Sequence, residues 1–166
     1  MPNTNKKPDH DRDGLGEIQR KFLEMLEDGR HAFDAAANAL VGGTDPDAIK
    51  DDLFKTDRRI NLTEQDLRRK LVVHGAVHGM NHFPLLLVLM SLAKDAERIG
   101  DYAKNLYDLA LAKPWLGDAE GRREIVVLKD RVSRALVRAR GIYELEDIDA
   151  ARAYLAECHQ IEDECD

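Results

Sequence analysis

The sequence predicts an all-α protein, an antiparallel bundle of long helices, and three observations lead there. Apolar residues recur at steps of three and four along five stretches of the 166-residue chain. The breaks between these stretches are short and rich in glycine and proline. Aromatic residues make up only 5% of the chain, too few for a sandwich or barrel, whereas 43% hydrophobic and 34% charged content suits a helical, water-exposed fold.

The first helix follows Asp13–Gly14. Leu15, Ile18, Phe22, Met25, Leu26, Phe33, Ala36 and Leu40 form one stripe, and Gly42–Gly43 ends it because glycine accepts the left-handed conformation of a helix terminus. The second starts at Thr44-Asp45-Pro46-Asp47, with a cap residue, a first-turn proline and acid at the positive helix end. Its stripe is sparser (Ile49, Leu53, Ile60, Leu67, Leu71), and Gly75, Gly79 and Asn81 are expected to loosen it.

Pro84 opens the third and clearest helix. Leu85, Val88, Leu89, Leu92, Ala96, Ile99, Ala103, Leu106 and Ala110 set its seam, and Pro114 closes it. Its length of about 29 residues corresponds to about 43 Å. The fourth runs from about Gly121 to Arg140 on Ile125, Leu128, Val132, Ala135, Leu136 and Ala139. The fifth runs from about Asp147 to the end and carries Ile148, Leu155 and Ile161, which require a surface to cover them. Such helices with short connections pack as an antiparallel bundle. Residues 1–13 carry no seam and are expected to form a disordered tail, leaving 14–166 as one bundle domain. Trp115 is expected to plug the end of the bundle.

Charge is unevenly spread. The net charge is −7, yet residues 144–166 hold nine acidic residues and one basic one, while 121–143 hold seven basic and two acidic. A basic segment followed at once by an acidic one predicts two antiparallel helices that offset each other. It is a poor footprint for nucleic acid. The longest apolar run, Leu85–Met90, has six residues against the roughly 20 of a membrane span, so no membrane insertion is expected. The charged N-terminus lacks the apolar core of a secretory signal, and two late cysteines, Cys158 and Cys165, make no disulfide framework. A cytoplasmic location is expected, with both thiols free and half-buried.

Chemistry has few footholds. Two acids four apart on a helix can jointly hold a hard cation, but seven such pairs, including Glu24/Asp28, Glu97/Asp101 and Glu162/Asp166, are about as many as chance would place. Glu97/Asp101 stands apart because it borders the most apolar helix, where stacked carboxylates lose hydration and need a cation, from a metal or from Lys94 or Arg98. Asp57 and Asn61 form a similar pair on the second helix. Two helices each offering an oxygen pair can share one metal. His74, His78 and His82 are spaced to align on a continuous helix, but Gly75, Gly79 and Pro84 argue for a polar helix end and turn. A di-iron carboxylate enzyme requires Glu-x-x-His pairs, and the sequence has none. No nucleophile–base order or phosphate-binding glycine loop appears either.

Glu97-Arg-Ile-Gly-Asp101-Tyr-Ala-Lys-Asn105-Leu resembles the ERIGD-x-A-x-N-I signature of the PhoU family of phosphate-uptake regulators. Asp57-Arg-Arg-Ile-Asn61 resembles the D-x-x-[IV]-[ND] pattern of the helix before it, and Pro84 matches the proline opening the signature helix. The resemblance implies a three-helix repeat over 14–113, with 121–166 as the first two helices of a second, partial repeat that ends in Glu162-Asp-Glu-Cys-Asp166. It further implies a non-enzymatic cytoplasmic regulator of phosphate transport and signalling, whose partners are a phosphate transporter or its sensor kinase. Iron, zinc or another divalent metal would sit on Glu97 and Asp101, with Asp57 and Asn61 opposite, and on Glu162 and Asp166 in the second repeat. Asn61 removes one anionic ligand from that pattern, so a metal-free helical adaptor is the alternative. The missing third helix of the second repeat, together with the apolar residues of the fifth, leads to a homodimer.

Overall fold

The computed structural model describes residues 14–79, 82–112 and 119–165. They form five helices: α1 Leu15–Val41, α2 Pro46–His78, α3 Phe83–Ala112, α4 Ala119–Leu145 and α5 Ile148–Cys165. No strand occurs among the described residues. The expectations for residues 1–13, Pro114, Trp115 and Asp166 fall outside them, as does Asn81.

The helix ends follow from local chemistry. Asp45 caps α2, its Oδ1 accepting from the Asp47 amide at 3.1 Å, and Pro46 supplies the first turn without an orphaned N–H. Gly43, rather than Gly42, takes the left-handed conformation after α1, with φ of 81°. The expected loosening of α2 at Gly75 does not occur: the helix is unbroken to His78. A side chain at Gly75 would meet Leu86 Cδ1 at 3.1 Å, so glycine serves there as the contact point between α2 and α3.

α1, α2 and α3 pack on one another as a three-helix bundle. Leu15, Ile18, Phe22, Met25 and Leu26 of α1 meet Ile60, Leu67 and Leu71 of α2 and Leu86, Leu89, Ala93 and Ala96 of α3. Toward the other end the core narrows to Ala32, Ala36, Leu53, Ala103 and Tyr107. Small residues set the spacing there. Gly29 of α1 faces Ile99 and Gly100 of α3 faces Ile60, and a Cβ at either would come within 3.1 Å.

The seam of α3 is offset by one residue from its sequence expectation at several points, with the expected Leu92, Ile99 and Leu106 only half-buried. Leu86, Leu89, Ala93, Ala96, Gly100, Ala103, Tyr107 and Ala110 are buried, whereas Leu85 and Val88 are exposed. The run from Leu85 to Met90 is apolar at every phase, so it has no preferred face of its own, and the packing of Ala93 and Gly100 further along sets the phase.

α4 lies antiparallel on α1, held by an edge-on contact between Phe22 and Tyr143 (ring centroids 4.8 Å apart) and by Lys129 donating to Asn38 Oδ1 at 3.2 Å. Burial raises the Tyr143 hydroxyl to about 12. α5 packs only on α4. The charge offset between these helices is present as Arg131–Glu164 and Arg138–Glu157 ion pairs in antiparallel register. Within the chain Ile161 is buried, but Ile148 and Leu155 are exposed.

Candidate functional site

The antiparallel face shared by α2 and α3 brings two of the six candidate ligands together. Gly100 allows the two backbones to approach, and a Cβ there would lie 3.6 Å from Asp57 Oδ1. Asp57 therefore reaches across from α2 to the start of the next turn of α3. There it meets Lys104, whose Nζ is 2.9 Å from Asp57 Oδ1 and 2.9 Å from Asp101 Oδ1. One ammonium thus bridges two carboxylates on neighbouring helices.

Burial is graded across this cluster. The Asp57 side chain is 14% exposed, Lys104 27% and Asp101 44%. Burial acts to lower the Lys104 pKa, but hydrogen bonds to Asp101 and Asp57 outweigh it and hold the ammonium above the ordinary lysine value.

The remaining candidates lie apart from that point. Glu97 is buried, as its position beside Ala96 predicts, and takes a hydrogen bond from Lys94 at 2.5 Å. Arg98, the other cation expected to serve it, pairs with Asp95 instead. The Asn61 Nδ2 donates to the Asp57 carbonyl one turn earlier at 3.1 Å, a bond within its own helix. Glu162 is exposed on α5, which touches neither α2 nor α3, and Asp166 lies outside the described residues.

As arranged, this donor set does not fit a metal ion. The carboxylates that do converge have an ammonium between them, and among the described residues no three His, Cys, Asp or Glu side chains are grouped so as to hold one. Sequence reasoning named the acids and missed their counter-ion. The signal was there: Lys104 follows Asp101 by three and Glu97 by seven, which places all three on one helical face.

The three histidines lie at the helix end and turn expected for them, since α2 ends at His78 and Gly79 follows with φ of 76°. With α2 continuous to His78, the His74 and His78 rings stack 4.1 Å apart, and His82 folds back so that its Nδ1 lies 3.0 Å from His74 Nε2. Of the two free cysteines, Cys158 is half-buried and Cys165 exposed, so only the first matches expectation.

Three long helices in up-down-up order, with an acidic motif on the third answered by an aspartate on the second, define a helical-bundle protein. A family model described as PhoU domain matches residues 22–110, just over half of the chain and nearly all of α1 to α3, and the protein belongs to that family. Comparison with curated proteins and with solved structures gave no match. No helix among the described residues is long and apolar enough to cross a membrane.

Proposed function

We propose that the protein is a non-catalytic regulator in phosphate homeostasis, working in the cytoplasm through contact with a phosphate transporter or its sensor kinase. The observation that carries this reading is the PhoU domain match over the three-helix unit that holds the Glu97–Asn105 signature. Its acid motif is organised by Lys104, whose ammonium pairs with both Asp57 and Asp101. Deleting the gene in its native host and measuring phosphate uptake under phosphate-replete growth tests the role. Uptake is expected to escape its normal restraint and to be restored by the intact gene. Unchanged uptake would defeat the proposal.

A metal-loaded form is the second reading, favoured by the convergence of Asp57 and Asp101 on one cation. Iron and zinc content of the untagged protein separates the two. On the lysine reading, the wild-type chain takes up no metal that depends on Asp57 and Asp101, and Lys104→Ala gains it. Metal already present in the wild type and lost in the Glu97→Ala/Asp101→Ala double variant would establish the second reading.

The exposed Ile148 and Leu155 on a helix with one neighbour support a homodimer. Light scattering of the full chain at micromolar concentration is expected to give twice the 18.8 kDa chain mass, and a monomer would remove that element.

A further inference from the structure

Two exposed helix faces of opposite charge are used by neither the acid cluster nor the bundle core. On α2, which packs on α1 and α3 alone, Lys55, Leu62 and Arg69 recur every seven residues and so share the solvent face. Val72, Val73 and Val77 continue that face toward the helix end, and all three are exposed. Arg58 stands one turn beyond Lys55. Among the described residues Lys55 and Arg58 form no ion pair: Asp52 is taken by His31 and Asp66 by Lys21, and Asp51, which shares the face, pairs with neither. Unpaired cations around exposed apolar side chains form a surface that an acidic helix with an apolar stripe complements.

The outer face of α5 is such a helix. Ile148, Leu155 and Glu162 also recur every seven residues and are exposed, whereas Ile161 is buried against α4. Glu162 and Asp163 charge the C-terminal end of this stripe, His159 lies within it, and Arg152 is answered by Asp149. α5 touches neither α2 nor α3 of its own chain, so the two faces can meet only between chains. Each stripe is about 21 Å long, and the order of residues along it fixes the direction. In an antiparallel pairing Leu155 falls on Leu62, beside an open cleft of about 440 Å³ lined by Lys55, Arg58 and Thr63. Glu162 and Asp163 then reach Lys55 and Arg58, and Ile148 comes to the Arg69 stem beside Val72 and Val73. A parallel pairing would instead set Ile148 on the two cations and leave the valines uncovered.

We propose that the α5 face of one copy docks antiparallel on the α2 face of a second copy of this chain, and the reverse, so that each face is used once in a two-fold dimer. The inference rests on the homodimer reading above and specifies its interface. Burial of Ile148, Leu155, Leu62 and the valines supplies most of the affinity, while the carboxylates against Lys55 and Arg58 set direction and partner.

The test is charge reversal on the full chain, with dimer dissociation followed by light scattering and sedimentation. Lys55→Glu/Arg58→Glu and Glu162→Lys/Asp163→Lys, all at exposed positions, are each expected to weaken the dimer by more than about tenfold while helical circular dichroism is retained. An equal mixture of the two double variants is expected to restore it as a heterodimer, because each reversed face then meets its opposite. Arg98→Glu, on the exposed side of α3, is expected to dimerise as the wild type does. A wild-type dimer that both double variants retain unchanged would overturn this interface and leave the homodimer standing, as would a mixture that stays monomeric. A monomeric wild type would overturn both. If that monomer sediments with phosphatidylglycerol vesicles and Lys55→Glu/Arg58→Glu does not, the α2 face belongs to an anionic lipid surface instead.

Discussion

The α1–α3 bundle and the α4–α5 hairpin are made of helices with comparable apolar stripes, yet they are stabilised very differently. Of the buried apolar residues described, all but Ala135 and Ile161 belong to α1–α3. In the bundle each helix has two neighbours, so a stripe about 100° wide is covered from both sides. α4 has α1 on one side and α5 on the other, while α5 has α4 alone. Against α4 it buries Ile161 and forms the Arg131–Glu164 and Arg138–Glu157 pairs, and partly exposed ion pairs contribute little. The difference teaches that a seam supplies stability only in proportion to the surfaces that close on it.

The sharpest way to break the comparison is to cut core side chains in each region. Met25→Ala, at a position with no exposure in the centre of the bundle, is expected to cost about 2–5 kcal/mol in urea unfolding. Leu155→Ala in α5 is expected to stay within about 0.5 kcal/mol at concentrations where the chain is monomeric. Similar losses at both positions would mean that α5 is packed as firmly as α1.

Glycines give a second contrast of intermediate size. Gly29→Val drives a side chain into Ile99, whose Cβ would lie 3.2 Å from the new atom, and should cost about 1–3 kcal/mol by forcing α1 from α3. Gly141 on α4 has no atom within 4 Å of an added Cβ. Gly141→Ala should therefore stabilise by about 0.5–1 kcal/mol through helix propensity, read as a rise in thermal midpoint. A loss at Gly141 would point to a close neighbour over α4.

A third contrast lies in the acid cluster. Lys104→Ala leaves Asp57 and Asp101 without their shared ammonium and should cost about 1 kcal/mol at neutral pH. Because the folded-state pKa of Lys104 is raised, its contribution is complete below the unfolded lysine value of about 10.4 and is lost as pH rises through the higher folded value. Unfolding free energies measured from pH 8 to 11.5 should fall on the alkaline side in the wild type and less steeply in Lys104→Ala. Parallel curves would place the alkaline loss elsewhere.

Much of the bundle was legible because a helix advertises its own buried face. The stripe of α1 from Leu15 to Leu26, the Asp45–Pro46 start of α2 and the opposite charges of α4 and α5 are each properties of a single segment. The signature residues Glu97 and Asp101 were legible as candidates for the same reason, and Glu97 is buried as its flank of the seam requires. Gly75 was misread because a glycine in a helix means either a break or a close contact, and only the Leu86 side chain opposite distinguishes them.

By itself the sequence determined which segments are helical, which side of most of them is apolar, and that Glu97 lies where water is scarce, since all of these follow from spacing along one axis. The tertiary structure alone decided that Leu86 rather than Leu85 enters the core, that Lys104 joins Asp57 to Asp101, and that His82 turns back onto His74. Those outcomes depend on how closely and at what rotation two helices meet. That is set where Gly29, Gly75 and Gly100 let a neighbour in, and no periodicity within one segment records what stands on the other side.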